Sequence, residues 1–147
     1  MVRIIGIVSG KGGVGKTLIA TNLSYAISNL GFRTLLIDFN FTTPHISITL
    51  NSKPYFSLND FFQGRADFHE ILNPYLNFFY ISPLLSLESI SELEIEKIEL
   101  LKEKLNNFDY VIIDSAPGFG KEATCSFLFS DEIIIVANPY LSSLFDA

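Results

Sequence analysis

Eight residues near the N-terminus, Gly10-Lys11-Gly12-Gly13-Val14-Gly15-Lys16-Thr17, constrain this chain more than any other stretch. They meet the phosphate-loop spacing G-x-x-x-x-G-K-[ST] at every fixed position. Glycines lack the Cβ that would keep a backbone away from phosphate oxygens. The N–H groups of such a loop, and of the helix that follows it, converge on a bound anion. In this pattern Lys16 reaches the β- and γ-phosphates and the Thr17 hydroxyl ligates Mg²⁺. With glycine at about 7% of residues, a chance match in a chain of this length is on the order of 1%. The flanks agree with the motif. Residues 2–8 form an apolar run of strand length, and Ile19, Leu23, Ala26, Ile27 and Leu30 recur at helical spacing. Gly31 then supplies a helix stop.

Composition narrows the setting. A chain of 147 residues, 48% hydrophobic and 18% charged, supports one folded domain over residues 1–147 and argues against disorder. The apolar N-terminal run ends at once in the phosphate loop, so it does not read as a secretory signal, and no apolar run reaches bilayer-spanning length. A cytoplasmic, ATP-supplied setting is the expectation. A net charge of −6 argues against a broad basic surface for nucleic acid. The single cysteine, Cys125, allows no internal disulfide and no C-x-x-C metal site, and reads as a small buried helix residue. His45 and His69 have no ligand partner at metal spacing.

Further along, residues 33–38 form a second apolar strand ending in Asp38, where ligands of open α/β sheets bind. A polar loop follows over residues 39–45. Residues 57–62 and 67–72 read as short helices capped by Ser57 and Asp67, and 78–81 as a strand. Ser91-Glu92-Leu93-Glu94 is a capping box, opening a helix to about residue 105 with Ile95, Ile98, Leu101 and Leu105 on one face. Residues 109–114 form another apolar strand ending in an acid, Asp114, suited to hold Mg²⁺ directly or through water. A helix over 121–129 and a strand over 132–137 follow. Strands alternating with helices predict a three-layer α/β/α, P-loop NTPase-like fold with a mainly parallel sheet.

The second lysine of the loop, Lys11, makes the stretch from Lys11 to Thr17 resemble the deviant Walker A motif of the MinD/ParA family. The resemblance implies that Lys11 reaches across an ATP-dependent homodimer to the partner's nucleotide. It makes the loop after Asp38 switch I, usually D-x-D, whose second acid positions the attacking water. It makes Ser115-Ala116-Pro117-Gly118 switch II, where backbone near Pro117 and Gly118 approaches the γ-phosphate. Lys11, Lys16, Asp38 and Asn40 are then the expected catalytic group, Gly10 to Thr17 with Pro117 and Gly118 the ATP contacts, and Thr17, Asp38 and Asp114 the Mg²⁺ set. This chain carries Asn40 in place of the second switch I acid. An amide carbonyl orients water but takes no proton as a carboxylate does. Some archaeal MinD-like sequences resemble this loop, so slow hydrolysis and none both stay open.

The resemblance runs over essentially the whole chain but matches only the N-terminal part of a usual family member. The apolar strand near residues 133–136 is expected inside a sheet covered on both faces. The chain is accordingly expected to be completed by a partner polypeptide or by its own dimerisation, or else to aggregate. No membrane helix or basic DNA-binding surface is visible, and no activator is indicated. The implied function is an ATP-driven switch positioning a division site or chromosomes. Alternatives are a non-hydrolysing nucleotide-binding module, or part of a split protein. An Mrp-type iron–sulfur carrier ranks last, because Cys125 alone cannot hold a cluster.

Overall fold

The computed structural model describes residues 1–84 and 95–139. Over these residues the chain forms one six-stranded sheet in the order β3-β4-β2-β5-β1-β6. Its strands are β1 (Arg3–Val8), β2 (Thr34–Phe39), β3 (Asn73–Tyr75), β4 (Phe78–Ile81), β5 (Tyr110–Ser115) and β6 (Glu132–Ile135). Every pairing is parallel except that of β3 with β4. The helices are α1 (Lys16–Asn29), α2 (Ile46–Thr49), α3 (Leu58–Phe62), α4 (Ile95–Glu103) and α5 (Lys121–Phe129).

The period-two geometry of the strands explains the layers. On β5, Ile112 packs with Ile7, Ala20 and Leu36 beneath α1. Its neighbours Val111 and Ile113 point the other way, among Leu101, Cys125 and Phe129 of α4 and α5. Two apolar clusters thus sandwich the sheet, as the three-layer expectation requires. Helix α1 stops where the sequence places its stop: Gly31 takes φ of 92° and its N–H donates to the Ser28 carbonyl. Cys125 is buried on α5, as expected. Ser57 caps α3 in a full capping box with Asp60.

Some elements differ from expectation. Residues 67–72 make a single turn, not a helix: the Asp67 N–H donates to Glu70 Oε2, and the Glu70 N–H returns to the Asp67 carbonyl. Burial of Phe68 and Ile71, followed at once by β3, leaves no room for a second turn. The helix leading to residue 105 gives way after Glu103 to a 3₁₀ turn, Lys104–Asn107, while Ile98, Leu101 and Leu105 are buried as expected. The capping box at Ser91-Glu92-Leu93-Glu94 and the tail from residue 140 lie outside the described residues. Strand β6 pairs with β1 and is the sheet's edge among the described residues. The sequence expects this strand inside a covered sheet or, with nothing packed beyond it, partly exposed, and Ile133, Ile134 and Ile135 are 36%, 39% and 55% exposed.

Parallel pairing brings the carboxyl ends of β1, β2 and β5 together, with Asp38 opposite Asp114 and Ile7 opposite Asp114 on the other side. Next to this edge the β1–β6 junction depends on Gly6. A Cβ there would lie 2.5 Å from Ser130 Oγ and 2.9 Å from Ile133 Cδ1. Gly6→Val is predicted to destabilise the chain by about 1–3 kcal/mol through overpacking. Urea titration checks this, and an unchanged midpoint would show that β6 is not seated against β1 in this way.

Candidate functional site

The loop between β1 and α1 gives the site its floor. Gly13 and Gly15 take φ of 75° and 100°, the left-handed region that glycine enters without strain. Gly15 is the N-cap of α1 and offers no side-chain cap, so the first-turn N–H groups are left to another acceptor. A cavity of about 650 Å³ opens above it, lined by Gly12, Gly13, Gly15, Lys16 and Thr17 from the loop. Asn40, Thr43 and His45 form one wall and Ser115 with Pro117 the other.

Three side chains carry the charge here. The Lys16 ammonium is buried and donates to Ser9 Oγ at 2.6 Å, while Ser9 Oγ donates to the Lys11 carbonyl at 2.6 Å. Thr17 Oγ1 donates to Asp114 Oδ2 at 2.6 Å. Asp114 Oδ1 is buried without a hydrogen-bond partner. A buried carboxylate oxygen with no donor, beside a hydroxyl already turned to the same carboxylate, is what hard oxygen ligation of Mg²⁺ needs. Thr17 and Asp114 therefore fit the metal, and when bound it would neutralise phosphate charge.

Asp38 is fully buried beside Asp114. Its Oδ1 accepts the Asn40 N–H, and its Oδ2 accepts those of His45 and Ile46. Burial, then the Asp114 charge, push its carboxyl up to about 7 against the pull of those three N–H groups. Burial also raises Asp114, with the Thr17 hydrogen bond and the Lys16 and His45 charges opposing. Burial lowers Lys16, and Asp114 counters it.

The expected residues converge, with differences in detail. Asn40 lines the cavity, but its Oδ1 already accepts the Thr43 N–H and hydroxyl, each at 3.2 Å, making an Asx-type turn. Pro117 lines the cavity. Gly118 stands behind it, with φ of 79° and its N–H donating to the Ser9 carbonyl at 3.0 Å, facing Gly10. Lys11 is exposed and Val14 half-buried, and neither is in the cavity's lining. Sequence reasoning missed Ser9 and Thr49, and it reached Thr43, His45 and Ser115 only as members of the two switch stretches, without a role for each. Adjacency to the motif could have flagged Ser9, whereas His45 comes into view only once Asp38 binds its amide.

A glycine loop feeding a bare helix N-terminus, set against an acid at the neighbouring strand's end, defines the P-loop NTPase class. The family model described as an AAA domain, AAA_31, matches residues 2–144, and the chain belongs to that family, among MinD/ParA-like P-loop ATPases. It is 34% identical over 149 residues to an ATP-binding protein of Methanocaldococcus jannaschii, covering 98% of this chain and 56% of that one. It is 31% identical to the septum site-determining protein MinD of Thermotoga maritima, covering 100% of this chain and 56% of that one. MinD of Pyrococcus horikoshii, solved with Mg-ADP, superposes with a TM-score of 0.89 at 30% identity, covering 100% of this chain and 62% of that one. The chain thus spans little more than half the length of these relatives.

The raised carboxyls set a pH dependence. The folded chain holds on Asp38 a proton that the unfolded chain releases above about pH 4. The resulting stability is full below that pH and is lost as pH rises through about 7. In magnesium-free buffer, urea stability is predicted to fall by a few kcal/mol across this window. Asp38→Asn is predicted to flatten that fall, and an equal slope in the variant would contradict the assignment.

Proposed function

We propose that this chain is the nucleotide-binding domain of a MinD/ParA-like ATPase that binds Mg·ATP and dimerises in response to it. The observation that carries the reading is Asp114, with one oxygen on Thr17 and the other buried and unpartnered at the mouth of the glycine loop. On binding, Lys16 would exchange Ser9 for a phosphate oxygen, and the loop and α1 N–H groups would take the remaining charge. Asp38 would serve chiefly by holding the Asn40–Ile46 loop, since both its oxygens are engaged. The wall that carries Pro117 would lie beside the γ-phosphate, with the Gly118 N–H committed to the Ser9 carbonyl.

The exposure of Lys11 supports a role directed away from its own pocket, toward a second copy. The MinD relatives favour division-site positioning as the biological output, with chromosome partitioning the alternative within the family. Among the described residues no helix is long and apolar enough to cross a membrane, and we assign the activity to the cytoplasm, where ATP is supplied. The exposed β6 edge supports completion by further polypeptide. A second reading, nucleotide binding without turnover, is favoured by Asn40, whose carbonyl is taken up by Thr43.

Sedimentation with Mg·ATP and with Mg·ADP, together with phosphate release, tests both readings. Wild type is predicted to double in mass with ATP only, Lys11→Ala to bind ATP yet stay unpaired, and Lys16→Ala to lose ATP binding. Turnover is predicted to be slow and to rise at least about tenfold in Asn40→Asp, a change of about 1.4 kcal/mol in barrier. ATP binding with no change of mass would overturn the dimer reading. Rapid turnover by wild type would remove the second.

A further inference from the structure

Several hydrogen bonds of the 40–45 loop run to residues close by in sequence. Asp38 takes the amides of Asn40 and His45, and Asn40 takes Thr43. Thr42 is different. Its N–H donates to Glu122 Oε1 at 2.9 Å, and its hydroxyl lies 3.1 and 3.0 Å from the two Glu122 oxygens. Glu122 is 80 residues away, in the first turn of α5. That helix is entered directly from the other wall of the cavity, the loop from Ser115 to Gly120. This loop is in turn fastened to the glycine loop by the Gly118–Ser9 hydrogen bond.

We propose that Glu122 is a positioning residue that links the two phosphate-facing loops, so that they respond as one unit to the γ-phosphate; this rests on the nucleotide-site reading above. One carboxylate holds both donors of Thr42, and the next residue, Thr43, lines the cavity. A shift of the Ser115–Pro117 wall transmitted to α5 therefore pulls on the Thr43–His45 wall. The lever is stiff. Phe129 at the far end of α5 is fully buried and packs 5.3 Å from Phe39, the residue after Asp38. A carboxylate in the first turn of a helix is also favoured by the helix dipole, which pre-sets it to receive Thr42. Glu122 is outside the cavity lining, so its influence on nucleotide passes through Thr42 and Thr43.

The test compares affinities for a non-hydrolysable Mg·ATP analogue and for Mg·ADP in wild type, Glu122→Ala and Glu122→Gln, with amide exchange measured on each. Glu122→Ala is predicted to weaken the ATP analogue about fivefold while ADP stays within about twofold, since ADP lacks the group that both loops sense. Glu122→Gln retains an acceptor and is predicted to recover most of the loss. In the nucleotide-free protein, the amides of Thr42, Thr43 and the 116–119 loop should lose protection together in Glu122→Ala. Equal weakening of both nucleotides, or neither, would overturn the proposal, because a merely structural residue does not discriminate between them. Binding of neither nucleotide by wild type would sink the nucleotide reading instead. The link is then decided by exchange alone, and faster exchange confined to α5 would overturn it.

Discussion

Two carboxylates at neighbouring strand ends set the terms for everything around them. Parallel register places Asp38 opposite Asp114, and both are almost wholly withdrawn from water. Like charges held in this way repel, and burial adds to the penalty. The protein answers with donors: three backbone N–H groups for Asp38, the Thr17 hydroxyl for Asp114, and the Lys16 ammonium close by. One Asp114 oxygen is still unanswered. A buried carboxylate oxygen without a donor, above a helix N-terminus, leaves the site electrostatically incomplete, and this is the observation on which the proposed Mg·ATP site rests.

The same acids organise the loops. By taking the amides of Asn40, His45 and Ile46, Asp38 folds the chain after β2 back over the cavity and starts the short α2. The Gly118–Ser9 hydrogen bond holds the opposite wall down on the glycine loop. Glu122 then joins wall to wall through Thr42. Strand, loop and helix thus form a connected frame around the cavity. The family relation to MinD/ParA-like ATPases rests on the family model matched over residues 2–144, and the frame agrees with it.

Much of this was readable without coordinates, for definite reasons. Strands β1, β2 and β5 are short apolar runs that each end at a ligand-facing position, and the glycine loop is contiguous in sequence. Local pattern therefore fixed both their type and their convergence. Segments α2 and β3 are four and three residues long, too short for any periodicity to register. The 67–72 helix failed because a cap and an apolar pair also suit one turn that buries Phe68 and Ile71. The Thr42–Glu122 contact spans 80 positions between two ordinary residue types, so it had no signature. Asn40 was readable as a departure from the family pattern, but its use of the carbonyl on Thr43 needed geometry.

The central claim is that Asp114 and Thr17 wait for a cation that enters with nucleotide. Calorimetric titration of ATP in magnesium and in chelator tests it most directly. Binding is predicted to be at least about tenfold tighter with magnesium, about 1.4 kcal/mol, with the difference abolished in Asp114→Ala. Equal affinity with magnesium and with chelator would contradict the account.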